Sequence, residues 1–343
     1  MRETETDGAR PESHDWLSEK MRKSRPWLWI AVLILFQFAG LHAADLFELR
    51  GKVFLPDGRP LADGFVFLEG ATSPFSSNTR TGLNGSFKFK KLDPAMYRLQ
   101  IVTHKGEMER SIEIGPSSAD KKGRINIVFE FDPSFHSEGR ATVSVKQLAV
   151  PEEAKKEYRK AIKALNRKET EEAVEHLWKA LELAPHFSTA LNRLGTISYL
   201  SQDYRQAEDY FRRAHSYAPG NYPPVVNLGA ALLSLGELEA ALEMNRRAVE
   251  MRPQDPLARS QLGQTYWALG DLDSALKELK LAKALDPGHF SYPQLVLAEI
   301  YDHRKDYAGV TRVLEEFLEE HPDSPISGKV TESLNQARSK QSP

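Results

Sequence analysis

The chain is 343 residues long, enough for two or three ordinary domains that each bury a core of their own. Lysine and arginine number 46 against 48 aspartates and glutamates, a formal charge of −2, so the overall balance gives no reason to expect nucleic acid as a partner. Cysteine is absent, which excludes structural disulfides, thiolate metal sites, a cysteine nucleophile and a lipid-modified N-terminal cysteine, while leaving the redox compartment open.

Residues 1–20 are polar, mix both charges and contain Gly8 and Pro11. They read as a disordered stretch or as an extension ahead of a true start at Met21. Trp27 to Leu41 is apolar except for Gln37 and Gly40, follows Arg22, Lys23 and Arg25, and precedes Ala43 and Ala44. A basic lead, an apolar run and a small-residue exit describe a secretory signal peptide over residues 21–44. The run is shorter than the roughly 20 residues of a spanning helix, and His42 stands where a cleavage site prefers a small residue. Two readings stay open, a cleaved signal and an uncleaved anchor in the inner membrane over residues 27–44. Either places the protein outside the cytoplasm, in the periplasm or cell envelope, with membrane contact only through that segment.

Residues 45–132 alternate in short runs. Phe87 and Phe89 alternate with Ser86 and Lys88; Tyr97, Leu99 and Ile101 with Arg98 and Gln100; Ile125, Ile127, Phe129 and Phe131 follow the same period. A period of two marks half-buried strands, and Pro56-Asp57-Gly58 and Asn84-Gly85 are turn sequences. About seven strands with regular turns predict an all-β sandwich. Arg50-Gly51-Lys52-Val53, Pro56-Asp57-Gly58-Arg59-Pro60-Leu61, Gly64-Phe65-Val66-Phe67-Leu68, Thr81 through Phe87 and Leu92 through Leu99 come in an order that resembles the carboxypeptidase regulatory-like, or transthyretin-like, domain. Pro94-Ala95-Met96 departs from the Pro-Gly usual there. The resemblance implies an accessory module of exported proteins, without catalysis. His104-Lys105-Gly106-Glu107 matches the His-x-x-Glu element of zinc carboxypeptidases, but a zinc site needs a third ligand and a deep pocket, and Lys-Gly between two alternating runs is a hairpin tip. No metal is assigned.

Residues 133–150 read as a linker, in which Thr142 to Leu148 alternates enough for one more strand packed on either neighbour. Beyond it Pro185, Pro219, Pro253 and Pro287 stand 34 residues apart. Leu194-Gly195, Leu228-Gly229 and Leu262-Gly263 recur in phase, as do Ala173, Ala207, Ala241 and Ala275, and then Ala180, Ala214, Ala248 and Ala282. Small residues recur where two helices cross closely, and proline closes each unit because it cannot continue a helix. The segment 151–324 resembles tetratricopeptide repeats, antiparallel helix pairs of this period. Five units are expected, near 154–187, 188–221, 222–255, 256–290 and 291–324. The last is irregular, with Val310 and Phe317 where alanine is expected, and Asn245 replaces a large apolar residue in the third. Residues 325–343 are expected to supply a capping helix, with Val330 and Leu334 inward, and a tail.

The predicted architecture is therefore multidomain, an all-β sandwich followed by an all-α tetratricopeptide solenoid. Stacked helix pairs leave a concave groove lined by the first helix of each pair. Repeat phase puts Tyr158, Arg159, Asn192, Arg193, Tyr199, Val226, Asn227, Gln261, Gln264, Trp267, Val296 and Glu299 on it. Amides suit the backbone of an extended peptide and aromatics dominate interface energy; packing between units is the plainer role for Tyr199 and Trp267. The family's clamp for a terminal carboxylate is matched only at Asn227 and Arg193, too little to expect that specificity. No Gly-x-Ser-x-Gly, His-Glu-x-x-His or glycine-rich phosphate loop occurs. The expectation is a non-enzymatic, cofactor-free scaffold or adaptor that binds proteins or peptides in the groove; a glycan- or cell-wall-binding sandwich, with the repeats organising an assembly, is the alternative. Oligomeric state is not specified.

Overall fold

The computed structural model describes residues 46–104, 106–131 and 150–341. The expected export segment, the residues before it, the linker up to residue 149 and the strand proposed for Thr142–Leu148 lie outside these. Among the described residues no helix is long and apolar enough to cross a membrane.

Among the described residues seven strands come first: β1 (Phe47–Phe54), β2 (Phe65–Gly70), β3 (Ser76–Arg80), β4 (Ser86–Leu92), β5 (Ala95–Thr103), β6 (Gly106–Ile114) and β7 (Arg124–Glu130). One sheet has the order β4-β1-β7, with β1 antiparallel to β4 and parallel to β7; the other is antiparallel in the order β3-β2-β5-β6. The alternating apolar residues meet between the sheets, where Leu49, Val53, Val66, Leu68, Leu99, Ile101 and Phe131 are completely buried. Gly51 is required by this packing, since a Cβ there would lie 2.0 Å from the Phe87 ring. The β4–β5 turn is held by Tyr97, whose hydroxyl donates to the Asp93 carbonyl at 3.1 Å.

A bulge interrupts the β1–β4 ladder. Leu49 pairs with Phe89 and Phe47 with Leu92, so Lys90 and Lys91 together oppose Glu48. Lys91 takes a φ of 59°, a left-handed conformation that most side chains avoid.

Among the described residues eleven helices follow: α1 (Glu152–Asn166), α2 (Thr170–Leu183), α3 (Ser188–Leu200), α4 (Tyr204–Tyr217), α5 (Tyr222–Ser234), α6 (Leu238–Met251), α7 (Pro256–Leu269), α8 (Leu272–Leu285), α9 (Pro293–His303), α10 (Tyr307–Glu320) and α11 (Ser327–Gln341). Consecutive helices pair as α1/α2 through α9/α10. The recurring alanines are fully buried, and the glycines mark the closest crossings. A Cβ on Gly195 would fall 2.6 Å from the Phe211 ring, and one on Gly263 the same distance from Leu279.

Asn245 shows how the third unit tolerates an amide in its core. It is fully buried, donates to Thr265 Oγ1 at 2.9 Å, and sits against the bare Cα of Gly229. In the last unit Val310 and Phe317 are buried where alanine was expected. Phe317 fits because Tyr292 and His321 surround its ring at 5.3 and 4.9 Å. Helix α9 begins late, after Tyr292 turns the chain with a φ of 49°. Helix α11 buries Val330 and Leu334 and turns lysines, glutamate and arginine outward.

Candidate interaction groove

The first helices of the repeats, α1, α3, α5, α7 and α9, carry the predicted groove, and part of that side is occupied by the sandwich itself. Along β6, Met108 and Ile114 enter the sandwich core, which turns Glu107, Glu109, Ser111 and Glu113 to the opposite face. That face meets one inter-repeat loop after another. Arg252, between α6 and α7, binds Glu107 at 2.7 Å and lies 4.2 Å over the Tyr222 ring. Asp286, between α8 and α9, accepts from the Ser111 N–H at 3.1 Å, and the Phe290 N–H points to Ser111 Oγ at 3.4 Å. Asp323, between α10 and α11, accepts from the N–H and hydroxyl of Ser117 at 2.9 and 2.8 Å. At the other end Asn166 donates to Ser77 Oγ at 2.7 Å and Lys168 pairs with Asp93 at 2.5 Å. The sandwich thus touches the solenoid from its first repeat to its last loop, and the solenoid covers β6, an edge strand.

Charges are concentrated at the centre of this contact. Glu69 of β2 accepts from Arg193 of α3 at 2.7 Å and from Arg98 of β5 at 2.5 Å, and Arg98 also lies 3.8 Å from Glu109. Burial opposes ionisation of Glu69, but Arg193 and Arg98 outweigh it and hold the carboxyl well below the usual range. Glu109 goes the other way, to about 7, because burial and the nearby Asp255 overcome Arg98. Glu113 is also raised to about 7, by burial and by the Asp323 charge, against one hydrogen bond from the Asp323 N–H. His289, completely enclosed beside this network, is lowered to about 3 by loss of water.

The predicted groove residues divide accordingly. Arg193 is committed to Glu69, and Tyr158 hydrogen-bonds Arg193 and packs on Phe187 at 5.4 Å. Val226, Val296 and Gln261 are buried in the solenoid, where the Gln261 carbonyl accepts from Thr265 Oγ1 at 2.8 Å. Arg159 is exposed on α1 and pairs with Glu152 at 2.7 Å.

The other six are half-buried and have partners only within the solenoid among the described residues. Asn227 donates to Asn192 Oδ1 at 3.1 Å, joining α5 to α3. The Tyr199 hydroxyl is 3.2 Å from Ser234 Oγ, again across those helices. Gln264 donates to Ser260 at 3.2 Å. Trp267 stands edge-on to His303 at 6.1 Å and its indole hydrogen-bonds Glu299, whose carboxyl burial nevertheless raises to about 7. These amides, hydroxyls and rings supply hydrogen bonds and flat apolar surface, the chemistry of an extended peptide backbone.

Sequence reasoning made no assignment for the alternating charges of β6, and their contact with the solenoid went unforeseen. Alternation identifies the face that leaves the core; nothing in it distinguishes water from a second domain. Glu107, part of the His-x-x-Glu match, is spent on Arg252 and on Gln100, which donates to it at 3.1 Å.

Comparison with known proteins agrees with the helix pairing. Two tetratricopeptide-repeat family models match, one at residues 152–222 and the other at 198–258 and again at 239–300. No curated protein gives a significant match to the chain. Among solved structures, MamA of Desulfovibrio magneticus RS-1 is 21% identical, covers 52% of this chain and 99% of its own, and superposes with a TM-score of 0.46. YrrB, described as a tetratricopeptide-repeat protein with an unusual peptide-binding site, is 25% identical over 55% of this chain and 98% of its own, with a TM-score of 0.43. PilF of Pseudomonas aeruginosa is 20% identical over 55% and 89%, with a TM-score of 0.45. Residues 152–300 of this chain are tetratricopeptide repeats, set behind a seven-stranded sandwich.

Proposed function

We propose that the protein is an exported scaffold that binds a protein segment on the part of the groove its own sandwich leaves open. Tetratricopeptide-repeat proteins are in general protein-interaction scaffolds. The observation that carries the reading here is the row formed by Asn192 with Asn227, Tyr199 with Ser234, Gln264, and Trp267 with Glu299. It crosses four successive first helices and mixes donors, acceptors and rings, as recognition of an extended chain requires. Arg193, the one cation that matches a carboxylate clamp, is held by Glu69, so the segment is recognised along its length and not by its C-terminus.

The sandwich is read as a carboxypeptidase regulatory-like module, on the motif order from Arg50 to Leu99 and the seven strands that carry it. Export is supported by the basic lead and apolar run before residue 45. Affinity capture from the native envelope with the full chain, Trp267→Ala and Asn227→Asp tests the groove. Both substitutions are expected to lose the same partner; equal recovery by all three proteins overturns this reading.

A further inference from the structure

The sandwich has a second outer face, on the sheet β4-β1-β7, and no recorded hydrogen bond or ion pair to the solenoid comes from it among the described residues. Phe47, Leu49, Gly51 and Val53 of β1 point into the core, so Leu46, Glu48, Arg50 and Lys52 point out. The same alternation turns Lys88 and Lys90 of β4 and Arg124, Asn126, Val128 and Glu130 of β7 outward. Arg50 stands directly opposite Lys88 in the ladder, a like-charge pair that weakens a sheet.

The acids present do not neutralise this face. Glu48 pairs with Arg50 at 2.7 Å and is the one carboxylate in the field of Lys88 and Lys90, and Asp120 pairs with Arg124 at 2.8 Å. Glu130 lies on β7 at the far end of β1 from Glu48, paired in register with Phe54. Lys52, Lys88 and Lys90 make no ion pair among the described residues. The bulge adds Lys91, exposed and held at its left-handed φ. Lysines on an edge strand such as β4 guard against aggregation, but that need does not reach Arg50 and Lys52 on the central strand.

Aliphatic side chains accompany the cations. Val128, opposite Lys52, is 70% exposed, and Leu46 is 53% exposed where β1 begins. An acidic protein or a sugar polymer would account for the lysines alone. A phospholipid surface accounts for both, taking cations at its headgroups and aliphatic groups at the acyl boundary. The apolar run ending at Leu41 lies a few residues before this strand, so the choice of lipid rests on reading residues 27–41 as an export or anchoring segment.

We propose that the open face of the three-stranded sheet, formed by Arg50, Lys52, Lys88 and Lys90 with Leu46 and Val128, docks on an anionic phospholipid surface. The sandwich then has one face for the solenoid and one for the membrane, and it presents the repeats at the bilayer.

Flotation of the full chain with vesicles of phosphatidylcholine, with or without about one-third phosphatidylglycerol, tests the proposal. The apolar segment acts on both vesicle types, so the quantity read is the ratio of anionic to neutral binding. Lys52→Gln/Lys88→Gln/Lys90→Gln is expected to lower that ratio by roughly a hundredfold, at about 1 kcal/mol per lysine, and added salt is expected to lower the wild-type ratio. The variant should keep the wild-type circular dichroism spectrum and its capture of groove partners. Equal binding to both vesicle types overturns the proposal, as does a preference that survives the substitutions. Binding to immobilised poly-L-glutamate that equals binding to anionic vesicles at the same charge also overturns it, by showing that any polyanion suffices. Cell fractionation tests the segment 27–41 by itself, and an envelope-free chain would fail that reading while leaving the vesicle ratio to stand or fall alone.

Discussion

The two outer faces of the sandwich begin from similar residues and end in opposite electrostatic states. On the four-stranded sheet Glu69, Arg98, Glu107 and Glu109 stand within reach of opposite charge, part of it from the sandwich and part from Arg193 and Arg252 of the solenoid. On the three-stranded sheet Arg50 faces Lys88 across the ladder, Lys52 has no ion pair, and Lys88 and Lys90 share the one carboxylate of Glu48 with Arg50. The first arrangement is a completed interface and the second one in which cations outnumber the acids that face them. Charge in a folded protein is therefore better judged by what stands opposite it than by how much of it there is, and the near-neutral total of this chain conceals both faces.

The sharpest way to break the comparison is at Arg193. Its removal leaves Glu69 with Arg98 alone in a largely desolvated position, and loss of one partner from such a pair is expensive. Because Arg98 remains and the group is partly solvated, Arg193→Ala is expected to cost about 2 kcal/mol in urea unfolding. In a double-mutant cycle with Glu69→Gln most of that cost should vanish. Independent, additive losses would show that the two faces are equally indifferent to pairing.

A smaller effect should appear with pH at Glu113. Its folded pKa of about 7 lies above that of an ordinary carboxyl, 4.5, so protonation favours the native state. The contribution is complete below about 4.5, declines as pH rises towards 7, and is flat beyond. Asp323 supplies both the opposing charge and the N–H contact, and Tyr292 lies in the same field. Glu109 has the same sign; Glu69, His289 and His321 have the opposite one. The informative quantity is thus the difference between wild type and Glu113→Gln. Melting temperatures should diverge between pH 4.5 and 7 in favour of the variant, by on the order of 1 kcal/mol at neutral pH after allowance for partial exposure. Parallel curves would mean that the docked carboxylate is as well hydrated as those on the open face.

Much of this was legible in the sequence, for definite reasons. A 34-residue recurrence of alanine and glycine has one steric meaning, and the contacts of Gly195 and Gly263 realise it. Two-residue alternation located the strands because Phe87, Phe89, Leu99 and Ile101 had to share an interior. The division of the groove was not legible. Arg193 and Asn192 are neighbours in the chain, and repeat phase treats both as groove residues, yet one is bound by Glu69 from 124 positions away and the other pairs with Asn227. Docking of one domain on another depends on surfaces whose local pattern is that of any solvated face. The Lys90–Lys91 bulge was hidden for a different reason, since a register shift belongs to two strands and neither records it alone.

The smallest effect distinguishes a costly surface from an indifferent one. Lys88→Glu places a carboxylate opposite Arg50 and beside Lys52, turning a repulsive cross-strand pair into an attractive one. Stability should rise by about 0.5–1 kcal/mol at low ionic strength, and the gain should shrink as salt screens the pair. Lys52→Glu is the control, because Lys52 faces Ser86 and Val128 and has no cation directly across from it. If Lys88→Glu stabilises the fold while reducing the preference for anionic vesicles, lysine at position 88 is unfavourable to the sheet and useful to its contact with lipid. Were Lys88→Glu neutral or destabilising, the open face would carry no stored repulsion, and the contrast with the docked face would reduce to one of exposure.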